Sequence, residues 1–147
     1  MSVGMSSSPT PGNQNRELLD LTIPAKVEEV AGLTQAVANV IAGLDVPEDK
    51  QLQIELAVQE AVANAVLHGC GGDPSKTVRC QVSRDAEGRV LIVVSDPGPG
   101  FDISSLPDPR LEENLHRDHG RGIYLIRQLM DEVEFQRNGS EIRMWKY

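Results

Sequence analysis

Thr77-Val78-Arg79-Cys80-Gln81-Val82-Ser83-Arg84, then Asp85-Ala86-Glu87-Gly88, then Arg89-Val90-Leu91-Ile92-Val93-Val94-Ser95: the reading of this stretch decides the fold. The two flanking runs are rich in β-branched and aliphatic residues and have strand length. The four residues between them are turn formers, so the spacing predicts a β-hairpin. Nearer the C-terminus, residues 133–137 and 142–146 read as two more strands, joined at Asn138-Gly139 by a typical hairpin turn. Toward the N-terminus, residues 17–23 read as a fifth strand, ended by Pro24.

Three stretches carry helical spacing instead. Val27, Val30, Leu33, Val37, Val40, Ile41 and Leu44 recur in steps of three and four, the mark of an amphipathic helix whose apolar stripe is most simply core. Pro47 suits the start of a second helix, with Glu48 and Asp49 favoured by its N-terminal dipole. This helix is expected to run to His68, where Gly69, Gly71, Gly72 and Pro74 stop it. A third, short helix is expected over residues 122–130, with Ile123, Ile126, Leu129 and Met130 on one face. With hairpins dominating the second half, the fold class is an α/β (α+β) two-layer sandwich. Its sheet is mixed, largely antiparallel, with helices on one face.

A chain of 147 residues suits one domain rather than two. Residues 1–15 are rich in Ser, Pro and Gly and cannot bury enough apolar surface to offset their ordering entropy, so they read as a disordered tail before a domain over 16–147. Aromatics make up only 3%, so Val, Ile, Leu and Ala must build the core. The net charge of −8 argues against nucleic acid, whose phosphates need clustered cations, and against an anionic membrane surface. No apolar run is long enough to span a bilayer, and the N-terminus lacks the pattern of a signal peptide. Cys70 and Cys80 make no disulfide framework and read as free thiols in a reducing cytoplasm.

Three pieces of sequence could carry chemistry. On the second helix, Gln51, Glu55 and Gln59 form one polar stripe, a plausible solvent edge. Glu60 and Asn64 form another, flanked by Ala57, Ala61, Leu56, Val58 and Leu67, with no Lys or Arg between 51 and 68 to pair with Glu60. A carboxylate in apolar surroundings is costly unless compensated, and a divalent cation with bound phosphate would compensate it. On wheel geometry alone, a second exposed edge is the simpler account. Next, Asp96-Pro97-Gly98-Pro99-Gly100-Phe101 follows a strand directly. The acid could accept a hydrogen bond from an exocyclic amine, and the glycines would let main chain approach a ligand; taken alone, a tight turn explains the loop as well or better. Last, Gly120-Arg121-Gly122 opens the third helix, where free amides and Arg121 could meet an anion, or where the glycines simply form a hinge. Neither a P-loop nor a Rossmann fingerprint is present.

Taken in order, Glu60-x3-Asn64-x3-His68-Gly69, Asp96-x-Gly98-x-Gly100-Phe101 and Gly120-Arg121-Gly122-Ile123-x2-Ile126 with Met130-Asp131 resemble the N, G1 and G2 boxes of the GHKL (Bergerat-fold) ATPases. Within that superfamily the chain most resembles the bacterial anti-sigma factor serine/threonine kinases of the RsbW/SpoIIAB type, from Glu17 to Tyr147. The resemblance implies ATP and Mg²⁺ as ligands. It implies Glu60 as the general base that takes a serine proton, Asn64 as the Mg²⁺ ligand and Asp96 as the partner of the adenine amine. Gly98 and Gly100 would lie under the nucleotide. Residues 104–119 would form a lid, with Gly120, Arg121 and Gly122 at its phosphate-facing end. Ser140 stands where the family has a Ser or Thr near the phosphates, a position a plain hairpin residue explains equally. The chain departs from the pattern in its short Gly-Arg-Gly and in a lid without Lys, with His116, Arg117, Asp118 and His119 instead.

The activity so implied is that of a cytoplasmic anti-sigma factor. It would hold a sigma factor and phosphorylate a serine of an anti-sigma-factor antagonist protein. The resemblance also implies a homodimer, since members of the family are commonly dimeric. The alternative from another class is a nucleotide-gated partner-binding module of the same fold without kinase turnover. A self-contained histidine kinase would need a dimerisation helix with a phosphoacceptor histidine ahead of Glu17, where only the tail stands.

Overall fold

The computed structural model describes residues 16–97 and 118–147, with backbone alone at 118–121 and 138. The expected tail (1–15), Gly98, Gly100 and most of the expected lid therefore lie outside the described residues. Among the described residues, five strands make one sheet: β1 (Arg16–Pro24), β2 (Thr77–Arg84), β3 (Val90–Ser95), β4 (Glu132–Gln136) and β5 (Glu141–Lys146). Their order is β1-β2-β3-β5-β4. Among the described residues all four pairings are antiparallel, where the sequence suggested a mixed sheet.

Register explains which face is covered. Leu21, Cys80, Val94, Ile142 and Phe135 are successive cross-strand partners, and Leu19, Val82, Ile92, Met144 and Val133 form the parallel row beside them. These residues are buried or packed on the core. The intervening rows, such as Asp20, Gln81, Val93, Arg143 and Glu134, point the other way, where Arg79 and Asp20 form a bidentate pair in solvent. Strand periodicity of two thus separates an apolar face from a mostly polar one. Three helices lie on the apolar face: α1 (Val27–Ala42), α2 (Glu48–Asn64) and α3 (Asp118–Leu129). The central α2 packs against both α1 and α3 and reaches β3 and β5 beneath it. None of the helices among the described residues is long and apolar enough to cross a membrane.

The apolar stripe of α1 is core, as its spacing predicts: Val30, Leu33, Val37 and Ile41 are buried. Val27 is the exception, exposed at the first turn. The second helix does not stay α-helical to its end. Its last turn, Ala65–Gly69, is a π-helix, in which the Cys70 N–H reaches back five residues to Ala65 O at 2.8 Å. Gly71 and Gly72 then take φ of +61° and +72°, a left-handed exit that glycine adopts without the steric cost of a Cβ. The third helix starts earlier than its apolar spacing indicates, at Asp118 rather than Gly122, so Gly120 and Gly122 lie in its first turns. The β4–β5 connection is a 3₁₀ turn, Arg137–Gly139, with positive φ at Arg137 and Gly139, rather than a two-residue turn at Asn138-Gly139.

Candidate functional site

The sheet, the end of α2 and α3 line a cavity of about 90 Å³. Its walls include Asn64, His68 and Gly69 from the end of α2, Asp96 from the end of β3, Ile123 and Ile126 from α3, and Ser140 after the 3₁₀ turn. Asn64 and Ser140, 76 positions apart in the chain, are thus brought to one cleft. Each arrives for a local reason. The burial of Val94 and Ile92 fixes β3 on the core, and Asp96 follows where the strand leaves the sheet. Ile123 and Ile126 are buried, which turns the opposite face of α3 outward, where Tyr124 and Leu125 are exposed.

One end of the cleft is built on the Glu60–Asn64 pair. Both side chains are half-buried, not on an open edge of the helix. Gly122 sits directly against them. A Cβ there would lie 3.0 Å from Asn64 Nδ2, 3.1 Å from Glu60 Oε2 and 3.3 Å from Asn64 Oδ1. Bare main chain at Gly122 therefore leaves the carboxylate and the amide unobstructed, in a space that a side chain would fill.

The other end is built on Asp96, which is only 9% exposed. Its N–H donates to Ser140 O at 3.0 Å. Ser140 is buried too, and its hydroxyl donates to Arg137 O at 2.8 Å, which ties the 3₁₀ turn to this end of the cleft. Gly69 closes the wall: a methyl on it would overlap the Asp96 carboxylate. Beneath, the Cys70 thiol is pushed up from its ordinary pKa by burial first and then by the negative charge of Asp96. It keeps a weak hydrogen bond to Thr77 O at 3.7 Å. Cys70 and Cys80 are both free and buried.

Of the residues singled out in the sequence, the structure brings Asn64, Asp96 and Ser140 to one cavity and sets Glu60 and Gly122 against Asn64 at its rim. Ser140 lies at the Asp96 end. Gly120 and Arg121 belong to the first turns of α3, described there in backbone only. Sequence reasoning missed Gly69, which reads as an ordinary helix stop. Only the five-residue turn before it, invisible to a 3.6-residue period, carries it to Asp96. Among the described residues, no three His, Cys, Asp or Glu side chains gather to hold a metal on their own. A cation here would lean on ligand oxygens beside Asn64, the mode usual for Mg²⁺ with phosphates.

A two-layer sandwich whose cleft is lined by a helix-end amide, a strand-end aspartate and a glycine-bearing helix agrees with the histidine kinase-like ATPase class. Residues 23–146 match the histidine kinase-like ATPase domain family, and the chain belongs to it. Among its relatives is the serine-protein kinase RsbW of Bacillus pumilus (strain SAFR-032), 32% identical over 146 residues that cover 92% of this chain and 88% of that protein. The serine-protein kinase RsbW of Staphylococcus aureus (strain JH9) is 30% identical over 138 residues, covering 89% of this chain and 87% of that one. In fold, the chain is similar to the RsbU and RsbW domains of a Mycobacterium tuberculosis protein, with a TM-score of 0.60 at 18% identity over 87% of this chain. It spans 31% of that longer chain. A histidine kinase domain from Erythrobacter litoralis shares the fold with a TM-score of 0.55 at 20% identity, over 84% of this chain and 61% of that one.

Proposed function

We propose that the protein is an ATP-dependent serine kinase and anti-sigma factor, which binds Mg-ATP in the cleft, phosphorylates a serine of an antagonist protein in the cytoplasm, and holds a sigma factor when that antagonist is modified. The observation that carries this reading is the Gly122 main chain seated against Glu60 and Asn64. It keeps one acid and one amide accessible where α2 meets α3. The RsbW relatives, serine-protein kinases by name, support the same reading. A homodimer belongs to it as well, checked by sedimentation.

The residues fit the nucleotide in kind. Asp96, an acceptor-only carboxylate when ionised, takes a hydrogen bond from the adenine amino group. Gly98 and Gly100 follow Asp96 in the sequence and would lie under the nucleotide; Gly120, Arg121 and Gly122 stand in the first turns of α3, where an arginine and free amides would offset the charge of the phosphates. Ser140 anchors the Asp96 end. Asn64 offers its amide oxygen to Mg²⁺, which when bound neutralises charge on the phosphate oxygens. Glu60 accepts the proton of the substrate serine as the serine oxygen bonds to the γ-phosphorus, while the bond from that phosphorus to the β–γ bridging oxygen breaks and ADP leaves.

The test is transfer of labelled γ-phosphate from Mg-ATP to a cognate antagonist protein. Transfer that requires Glu60 sustains the reading. ATP binding without transfer by the wild-type protein removes the kinase claim and leaves a nucleotide-gated binding module.

A further inference from the structure

Asp96 and Gly69 are each fixed by main chain, and they meet. Asp96 directly follows β3 and is pinned by its N–H bond to Ser140 O. Gly69 is pinned by the π-helical turn, through Cys70 N–H to Ala65 O at 2.8 Å and Gly72 N–H to Val66 O at 2.9 Å. The three atoms nearest to a Cβ at position 69 are Cγ, Oδ1 and Oδ2 of Asp96, all in overlap. No left-handed φ is involved at Gly69, so the backbone itself would accept alanine. The carboxylate occupies the place where a side chain would be.

We propose that Gly69 is the positioning residue for Asp96: its missing side chain admits the carboxylate to its buried orientation, and this orientation selects a purine bearing an exocyclic amine. The inference rests on the nucleotide reading above and adds a residue to it. Because neither main-chain segment can retreat without breaking its own hydrogen bonds, a methyl at 69 must turn the Asp96 side chain away. An acceptor turned away no longer meets the amine, while contacts to the phosphates at the Gly122 end are untouched. The π-helical turn thus has a use: it delivers Gly69, rather than a residue with a side chain, to the strand end. Such turns recur at functional sites in helices.

The experiment compares Mg-ATP with Mg-ITP, whose base has an oxygen in place of the amine, by titration calorimetry. Wild type binds ATP more tightly than ITP. Gly69→Ala lowers ATP affinity about 10- to 100-fold, the loss of a hydrogen bond to a charged group, and leaves ITP affinity within about twofold. In an Asp96→Ala background the same change costs less than about twofold, because residues that act through one contact are not additive. Equal losses for both nucleotides, or an unchanged ATP preference, overturn the proposal. Should Gly69→Ala fold poorly, melting temperatures without ligand decide: the deficit shrinks when Asp96 is also Ala. A deficit of the same size in both backgrounds places the overlap elsewhere and overturns the proposal. If wild type binds neither nucleotide, the ATP reading and the base selectivity fall together, and the melting temperatures alone judge whether Gly69 positions Asp96.

Discussion

Two polar stripes run along α2, alike in chemistry and in spacing, and they meet different neighbours. In the first, Gln51 donates from Nε2 to Val46 O at 2.7 Å and so serves the entry of its own helix. Glu55 and Gln59 line a groove toward α1, opposite Thr34 and Gln35. In the second, Glu60 and Asn64 meet Gly122 of α3. The wheel gives both stripes the same description, an amphipathic helix with polar edges. The partner helix separates them. Against α1 a polar side chain finds other side chains and solvent; against α3 it finds bare main chain, and space beside it.

The largest difference between the stripes should be chemical. Glu60→Ala is expected to lower phosphoryl transfer about 10²- to 10⁴-fold, the usual contribution of a general base. ATP affinity should change little, since the proton moves only in the transition state. Glu55→Ala, an acid five residues earlier, should leave the transfer rate within about twofold, as surface changes away from a site do. Steady-state kinetics on the two variants read the comparison directly. Equal losses would abolish the distinction between the stripes.

Much of this was legible before the structure, and the reasons differ by element. The hairpin over residues 77–95 was plain because strand period, turn chemistry and composition agree. The stripe of α1 was plain because burial follows a 3.6-residue period, as Val30, Leu33, Val37 and Ile41 bear out. The start of α3 was not, because its first turn, from Asp118, carries no apolar residue before Ile123 to announce it. For the cleft, the chain order of Glu60, Asn64, Asp96 and Gly122 pointed to one site through resemblance, whereas the wheel alone favoured an exposed edge for the first two. What no period could give was tertiary: that Gly122 abuts the pair, and that a π-helical turn brings Gly69 to Asp96. A widened turn has no sequence signature of its own here.

The next effect is on metal-dependent binding. Asn64→Ala should weaken ATP affinity in the presence of Mg²⁺ by about 10- to 100-fold, as loss of groups around a metal commonly does. With chelator present the variant and wild type should converge. Gln59→Ala, on the other stripe, should match wild type in both conditions. A deficit in Asn64→Ala that persists with chelator would mean that the amide touches the nucleotide rather than the cation. Smaller again is Gly122→Ala. Its methyl would approach Asn64 and Glu60 at 3.0–3.3 Å, tight contacts with side-chain ends that can shift. A loss of about tenfold in ATP affinity is expected, within the 1–3 kcal/mol that an added group costs in a packed place. The Glu60→Ala background should relieve part of it, and full additivity would show that the glycine does not act through the pair.

The smallest effect concerns what the two stripes share, the core beneath them. Cys80 lies on β2, fully buried, and burial pushes its thiol up to about 12, with the charge of Asp20 adding to the rise. In the unfolded chain the thiol ionises near its ordinary 9.0. The folded state therefore keeps a proton that the unfolded state gives up. The associated stability is complete below pH 9 and is lost progressively as pH rises toward 12. Around pH 9.5 the loss should be roughly 1 kcal/mol, a fall of roughly 2–4 °C in melting temperature for a chain of this size. Cys80→Ala carries a packing cost that does not depend on pH, so the gap between variant and wild type should narrow as the solution becomes alkaline. Because Cys80 belongs to the sheet rather than to either face of α2, the narrowing should persist in both Glu55→Ala and Glu60→Ala proteins. If it vanished in only one of them, the stripes would differ in their coupling to the core and not merely in the neighbour each one meets.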